Sequence, residues 1–599
     1  MTMEQSLVSN VQPNSTQVCH GSLSPASMNT LQRFSVIPGR VIPIIFLHGI
    51  LGSRLRLTKK NMEKLKKKKK TAYDPDDKLD MITGFGLTGH KERQLMFSPD
   101  GCEVNTYEGL TKEQARVYCK NSKVAVSTNS PYLRDDDPGS PKAKTAIEKA
   151  CERGWGELMF DAYGVILNRM ELMMNRMFSA GKLIPDWSHI VGKDPREWGA
   201  SEALPPLTEA DLKKLCEDCW YPVHVTAYNW VRSNRTESTI VAERIKAIML
   251  GYKNQGIRCE KVIVVTHSMG GLVARALCHP EYGNMQDVIL GVVHGEQPAI
   301  GAAAAYYRML AGFEIPHWVF NVAKFSDTAT SLILGSNGPK VTVILANGGG
   351  GLELLPNEAY GNGWLKVSDK GNAPTRDKGH GVLRSLPEKG DPYEEIYKID
   401  GKEIWWGLLR EEWINPAGED EYGLQNTRDL LDKAKEFHQD ITSTFHPLTY
   451  AHFGCDPERP AFRDIVWEVS ISKVNSNLNP KTWEIDRKTI GGDEKNGRPL
   501  LKYSRSGSPH SFYHHPVMRP PESPGDQTVP QHSAEHQARV GTLKGIFRQT
   551  GFEHQSSYKN ENAIASTLYG IVQIAKEMKW NSSLNADVLK AVEKFIPQK

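Results

Sequence analysis

The 599-residue sequence predicts an α/β fold: a mostly parallel central sheet with helices on both faces, enlarged by long insertions. Three observations predict it. Short β-branched apolar runs alternate with helical segments, the pattern of strands joined by crossover helices. One of those runs ends in a small-residue turn that opens directly into a helix. Long polar or glycine- and proline-rich stretches separate the runs, so the sheet is assembled from distant parts of the chain.

Taken in order, residues 1–38 are rich in Ser, Asn and Gln and read as an N-terminal tail. Residues 39–58 begin the core. The run Val41 to Leu47 is short and fully apolar, as suits a strand buried on both faces, and it ends at His48-Gly49. Residues 59–218 read as an insertion. Between Lys59 and Lys70 stand eight lysines and one glutamate. Like charges this dense repel, which predicts a loop, with contact to anionic lipid head groups as the sharper alternative. Asp135-Asp136-Asp137 reads as a solvated turn rather than a metal site. Met159, Tyr163, Ile166, Met170, Met173 and Met177 recur at helical spacing across 155–180, a face for core packing or for lipid.

Residues 219–298 carry the regular alternation of the core. Tyr221 to Tyr228 reads as a strand, Glu237 to Tyr252 as a helix, Lys261 to Thr266 as a strand, Gly270 to Leu277 as a helix and Val288 to Val293 as a strand. Residues 299–340 combine Ala302 to Ala305 with Tyr306, Tyr307, Met309, Leu310, Phe313, Trp318 and Phe320; they are expected to form a lid, with a plain core helix as the alternative. Residues 341–365 contain a further strand candidate, Val341 to Ala346. Residues 366–522 read as cap insertions with a strand at Asp464 to Ile471, and 523–599 return to the core with a short strand, Gly545 to Arg548, and a helix, Asn562 to Met578.

Composition narrows the function. Hydrophobic residues make up 39% and charged residues 24%, which excludes a chain disordered throughout. The 74 basic and 70 acidic residues nearly cancel to +4, so no global charge points to nucleic acid. No run approaches the roughly 18 apolar residues of a membrane-spanning helix. The N-terminus has no basic region leading into an apolar core, so a Sec-type signal peptide is not expected. The nine cysteines are too few for a disulfide scaffold, and their odd number leaves at least one thiol without an intramolecular partner.

The chemistry gathers at Thr266-His267-Ser268-Met269-Gly270-Gly271, between a strand and a helix. That is the context of a nucleophile elbow, whose tight turn needs small neighbours and lifts a serine hydroxyl clear of the sheet. Thr266 departs from the glycine usual at the first position. In this architecture the acid and then the histidine follow the serine in the chain. Asp526, in Gly525-Asp526-Gln527-Thr528-Val529-Pro530, is the candidate acid, and His554, between the final strand and the final helix, the candidate base. His532 and His536 are competitors that lie before that last strand. The oxyanion donors expected are the N–H of Met269, next after the serine, and that of Ile50 in the glycine-rich loop His48 to Gly52, with Leu51 as the alternative. No cofactor and no metal are expected.

These residues carry a resemblance. His48-Gly49-Ile50-Leu51-Gly52, Ala227 to Arg232 and Thr266 to Gly271 look like the lipase branch of the α/β-hydrolases. Gly350 to Pro356 and Gly525 to Pro530 are similar to segments of lecithin:cholesterol acyltransferase-like and GPI inositol-deacylase-like enzymes, and His294 to Arg308 resembles bacterial type VI secretion lipase effectors. The resemblance implies an antibacterial phospholipase toxin of phospholipase A type. Its expected partners are a phospholipid membrane surface, a cognate immunity protein and a secretion-needle component. Such a toxin is made in the cytoplasm without a Sec peptide and acts at the membrane of a target cell, on the periplasmic side. An acyltransferase of the same fold and a non-catalytic hydrolase-fold binding module are the alternatives.

Overall fold

The computed structural model describes residues 39–581, apart from 68–69, 78–87, 128–129, 137–138, 140–142, 180, 314–334, 372–379, 471–478, 489–491, 505–509 and 541–542, together with short backbone strands within 4–37. Six strands form the central sheet: β1 (Ile44–Leu47), β2 (Val223–Val225), β3 (Val262–His267), β4 (Ile289–Gly295), β5 (Thr449–Gly454) and β6 (Leu543–Gln549). Their spatial order is β2-β1-β3-β4-β5-β6, and every neighbouring pair is parallel. Parallel strands need crossovers long enough to cover a face of the sheet, and the helices supply them.

The helices that position the site are nine: α1 (Lys59–Leu65), α2 (His90–Met96), α3 (Phe160–Asn175), α4 (Asn234–Asn254), α5 (Gly270–Cys278), α6 (Ala303–Ala311), α7 (Gly338–Leu345), α8 (Leu424–Ile441) and α9 (Glu561–Lys576). The two-residue alternation of the strands divides the core. Ile44, Phe46, Val223, Val225, Ile263 and Val265 face α3 and α9. Ile45, Leu47, Val262, Val264 and Val292 face α4 and α5. A third core lies in the region between β4 and β6, where Trp364, Trp405, Trp406 and Trp467 pack with α6 and α8. Beside it Leu365–Asp369, Gly381–Leu386, Ile465–Val469 and Val517–Met518 form a second, four-stranded sheet.

Several expectations change. Val341 to Ala346 is not a strand: it lies in α7, where the Asn337 side chain accepts from the Lys340 N–H, Pro339 sits in the first turn and Val341 and Val343 are buried. A capped start and tertiary packing override the weak strand preference of β-branched residues. The sheet takes Thr449–Gly454 instead, a strand inside the stretch expected to be cap. The lysine run is not simply a loop, because its first part is α1, held by Asn61 bonding the carbonyls of Leu95 and Gly101. The methionine face of α3 is core, with Met170, Met173 and Met177 buried. Asp135 accepts from the Ala146 N–H and Asp136 pairs with Lys149, which spends their oxygens within a turn; Asp137 lies outside the described residues.

The expected lid also divides. Trp318 and Phe320 lie outside the described residues. Met309 and Leu310 are not a solvent-facing cover but part of the third core, Met309 being 0% exposed. Met309→Ala is therefore expected to cost about 2–5 kcal/mol, read as a lowered denaturant midpoint; a loss below about 0.5 kcal/mol would return the residue to the surface.

Candidate active site

Between β3 and α5 the chain turns from strand to helix across Ser268 and Met269. Ser268 has φ 53°, a left-handed conformation that costs on the order of 1–3 kcal/mol for a side-chain-bearing residue. Two glycines make room for it. A Cβ on Gly270 would lie 2.6 Å from the carbonyl oxygens of Leu47 and His48, and one on Gly49 would lie 2.8 Å from the Ser268 Cβ. Thr266 is accommodated because its hydroxyl pairs with His294 Nδ1 at 3.0 Å on the neighbouring β4.

The structure brings Asp526 and His554 to this serine. Ser268 Oγ lies 2.8 Å from His554 Nε2, and His554 Nδ1 lies 2.7 Å from Asp526 Oδ2. A hydroxyl donating to Nε2 leaves the ring proton on Nδ1, which donates to the carboxylate. The second oxygen, Asp526 Oδ1, accepts from the N–H groups of Thr528 at 3.0 Å and Val529 at 2.7 Å, and the Asp526 carbonyl accepts from the His554 N–H at 2.9 Å. Burial opposes charge on Asp526, yet His554 and these donors hold its carboxyl below the ordinary value. The competing histidines stay outside this arrangement. His532 Nε2 donates to the Tyr360 carbonyl at 2.9 Å, and His536 lies beside Arg539 on a short helix.

The His48 loop lies against Ser268 and is fixed from behind. His48 stacks on Tyr228, ring centroids 4.1 Å apart, and accepts the Tyr228 N–H on Nε2 at 3.2 Å, while the Tyr228 hydroxyl donates to the His48 carbonyl at 2.6 Å. Among the described residues no backbone carbonyl accepts from the N–H of Ile50 or of Met269. Leu51, with φ 64°, forms the crest of the loop.

Three supporting residues were not expected at the site from the sequence. His267 Nε2 lies 2.9 Å from the His554 carbonyl, so that nitrogen carries the proton, and Nδ1 then accepts from the Tyr163 hydroxyl at 3.0 Å. Tyr163 Oη in turn accepts from the Gly49 N–H at 3.2 Å. One buried chain thus ties the His48 loop, the serine turn and the histidine loop. The third residue is Glu296, fully buried at φ 53° just beyond β4, whose carboxyl accepts from the Gly454 N–H at 2.8 Å and faces His452 Nδ1 at 3.2 Å. It also lies beside the Asp526 carboxyl. Burial and the neighbouring Asp526 charge push Glu296 well up, which favours its neutral form beside the ionised aspartate. Its sequence signal is slight: a glutamate directly after an apolar strand. Seven non-glycine residues have positive φ among those described, and four of them, Leu51, Ser268, Glu296 and Gln527, belong to this site. Such clustering of strain is typical of functional sites.

Residues 228–309, which span Tyr228, the Ser268 turn and α6, match the PGAP1-like alpha/beta domain family. Among solved structures, a chain of the Tle4–Tli4 complex is 27% identical and superimposes with a TM-score of 0.67, covering 90% of this chain and 99% of that one. The chain has an α/β-hydrolase fold. The expected resemblance to type VI secretion lipase effectors is borne out as well. No curated protein matches the chain.

Two predictions follow from the buried network. Glu296→Gln keeps a neutral polar side chain beside Asp526, whereas Glu296→Ala takes the partner from the Gly454 N–H and from His452 Nδ1; the alanine variant is expected to lose about 1–3 kcal/mol more stability in denaturant titration. Acid is expected to unfold the protein. Burial pushes His48 and His438 down to about 4, and His267, His294 and His452 down to about 3. Below about pH 6.5 the unfolded chain takes up protons that these folded rings refuse, so stability present above that pH is lost as pH falls toward 4. Each such histidine contributes a slope of about 1.4 kcal/mol per pH unit. A stability profile flat between pH 6.5 and 4, measured by denaturant titration, would contradict this.

Proposed function

We propose that this protein is a serine ester hydrolase of phospholipase A type that cleaves acyl esters of membrane glycerophospholipids, and that it acts as an antibacterial type VI secretion effector. The observation that carries the reading is the hydrogen-bonded chain Ser268 Oγ–His554–Asp526 at 2.8 and 2.7 Å, with Ser268 held at φ 53° on a strand-to-helix turn. Ser268 Oγ attacks the ester carbonyl while His554 Nε2 takes its proton. Asp526 orients the ring and stabilises the imidazolium. The N–H groups of Met269 and Ile50 hold the oxyanion, with Leu51 as the alternative donor. Collapse returns the proton from His554 to the leaving glycerol oxygen, and water, activated by the same histidine, releases the fatty acid.

The likeness to the Tle4–Tli4 complex supports an effector role and, by extension, a cognate immunity protein for this chain. Delivery by the secretion needle to the periplasmic membrane face of a target cell belongs to the same reading. Among the described residues no helix is long and apolar enough to cross a membrane, so the bilayer is met as a surface.

Mass spectrometry of defined phospholipid vesicles tests the reading. The protein should release free fatty acid and lysophospholipid, and Ser268→Ala should lower turnover by roughly 10⁴ to 10⁶ without unfolding the chain. His554→Ala should be about as damaging, and the double variant little worse, because the groups act as a unit. His532→Ala and His536→Ala should leave turnover nearly intact. Acyl groups appearing on an added alcohol instead of water would make the protein an acyltransferase, and no turnover of any ester would make it a binding module.

A further inference from the structure

We propose that the exposed lysines Lys59, Lys60, Lys66 and Lys70 form a docking surface for an anionic phospholipid bilayer, one that sets the active-site end of the sheet against the membrane. This rests on the reading that membrane lipid is the substrate.

Charge placement is the first observation. The stretch Lys59–Lys70 holds eight lysines and one glutamate, a net of +7. The whole chain carries +4, so the other 587 residues sum to −3 (4 − 7) and the excess of basic charge resides in this one segment. Of these lysines, Lys64 pairs with Glu419 and Lys67 with Glu92 at 2.6 Å. Lys59, Lys60, Lys66 and Lys70 are exposed, and no carboxylate pairs with them among the described residues.

Rigidity is the second. Lysines this close destabilise a helix, as Lys60 and Lys64 do at four-residue spacing. Yet α1 is anchored: Asn61 is buried and bonded to two carbonyls, and Met62 and Leu65 pack on the core. Repelling charges are thus held together on a fixed surface, at a cost that an anionic partner would offset. Nothing on α1 is aromatic, so a single-stranded nucleic acid would find no ring on the helix to stack its bases.

Position is the third. Lys59 follows Leu51 of the His48 loop by eight residues, which limits its distance from that loop to about 28 Å. α1 packs on α2, and α2 on α7. Asn61 of α1 bonds the Gly101 carbonyl, and Asn229, next to the Tyr228 that stacks on His48, bonds the Cys102 carbonyl, so α1 is tied through residues 101–102 and 228–229 to the loop beside Ser268. A diacyl lipid must pass from bilayer to serine, and a cationic surface beside that loop would orient the enzyme for the passage. Each lysine near an anionic surface contributes about fivefold in partition.

The test uses the full chain carrying Ser268→Ala, so that binding is read without hydrolysis. Partition is measured by sedimentation with phosphatidylcholine vesicles, with and without phosphatidylglycerol, at low and high salt. Replacing Lys59, Lys60, Lys66 and Lys70 together by Gln is expected to weaken partition onto the phosphatidylglycerol vesicles by roughly 600-fold. Replacing the same four by Arg should restore it. On a wild-type Ser268 background the Gln variant should hydrolyse a short soluble ester at the normal rate. Unchanged partition of the Gln variant, equal losses on both vesicle types, or tighter binding of the parent to a DNA duplex than to the anionic vesicles would each overturn the proposal. Salt-sensitive partition without lipid hydrolysis by the wild-type chain would overturn the proposed function and leave this surface standing.

Discussion

A single buried hydrogen-bonded chain joins the parts of this site: the Gly49 N–H to the Tyr163 hydroxyl, that hydroxyl to His267 Nδ1, and His267 Nε2–H to the His554 carbonyl. It spans three loops of the chain and a helix of the insertion after β1. Its direction is fixed because the carbonyl at its end accepts only, which sets the tautomer of His267 and hence the role of Tyr163. The ring must also stay neutral for the chain to hold, and burial pushes it down to about 3. The insertion is thus part of the machinery: α3 packs beneath the sheet through its methionines and delivers Tyr163 to the point where the loops meet.

A second buried network does for the acid what the first does for the loops. Asp526 spends both oxygens, one on His554 and one on two backbone N–H groups. Glu296 stands behind it, its neutral form favoured by burial and the aspartate's charge, and is itself held by the Gly454 N–H and His452. An aspartate so surrounded stays ionised despite complete burial, which is what its proposed role beside an imidazolium needs. The strain at Ser268, Glu296, Leu51 and Gln527 is the conformational cost of meeting at one point from four loops.

What could be read from the sequence was local or set by chain order. The β3–turn–α5 unit is contiguous, so its apolar run, small residues and helix announce it together. Asp526 and His554 were located by order along the chain, and the structure places both against Ser268. What could not be read was long-range. Tyr163 and Gly49 are 114 residues apart, and no spacing rule connects them. β5 was missed because Thr449 and His452 dilute its apolar character, although both are buried. Val341 to Ala346 looks more strand-like and is helical, because Asn337 and Pro339 start a helix there and α6 gives it a surface to pack on. The apolar residues of α6 read equally well as lid or core, and the tryptophans that decide for core come from sequence about 50 to 160 residues further on.

The most direct test of the central claim, that this network activates Ser268 as a nucleophile, is covalent capture. The folded protein is treated with a fluorophosphonate and the adduct is located by mass spectrometry of its peptides. The account predicts one phosphonyl group per chain, on Ser268, with labelling abolished in denaturant and in His554→Ala. Labelling of a different serine, or an unreactive Ser268 in the folded chain, would contradict it.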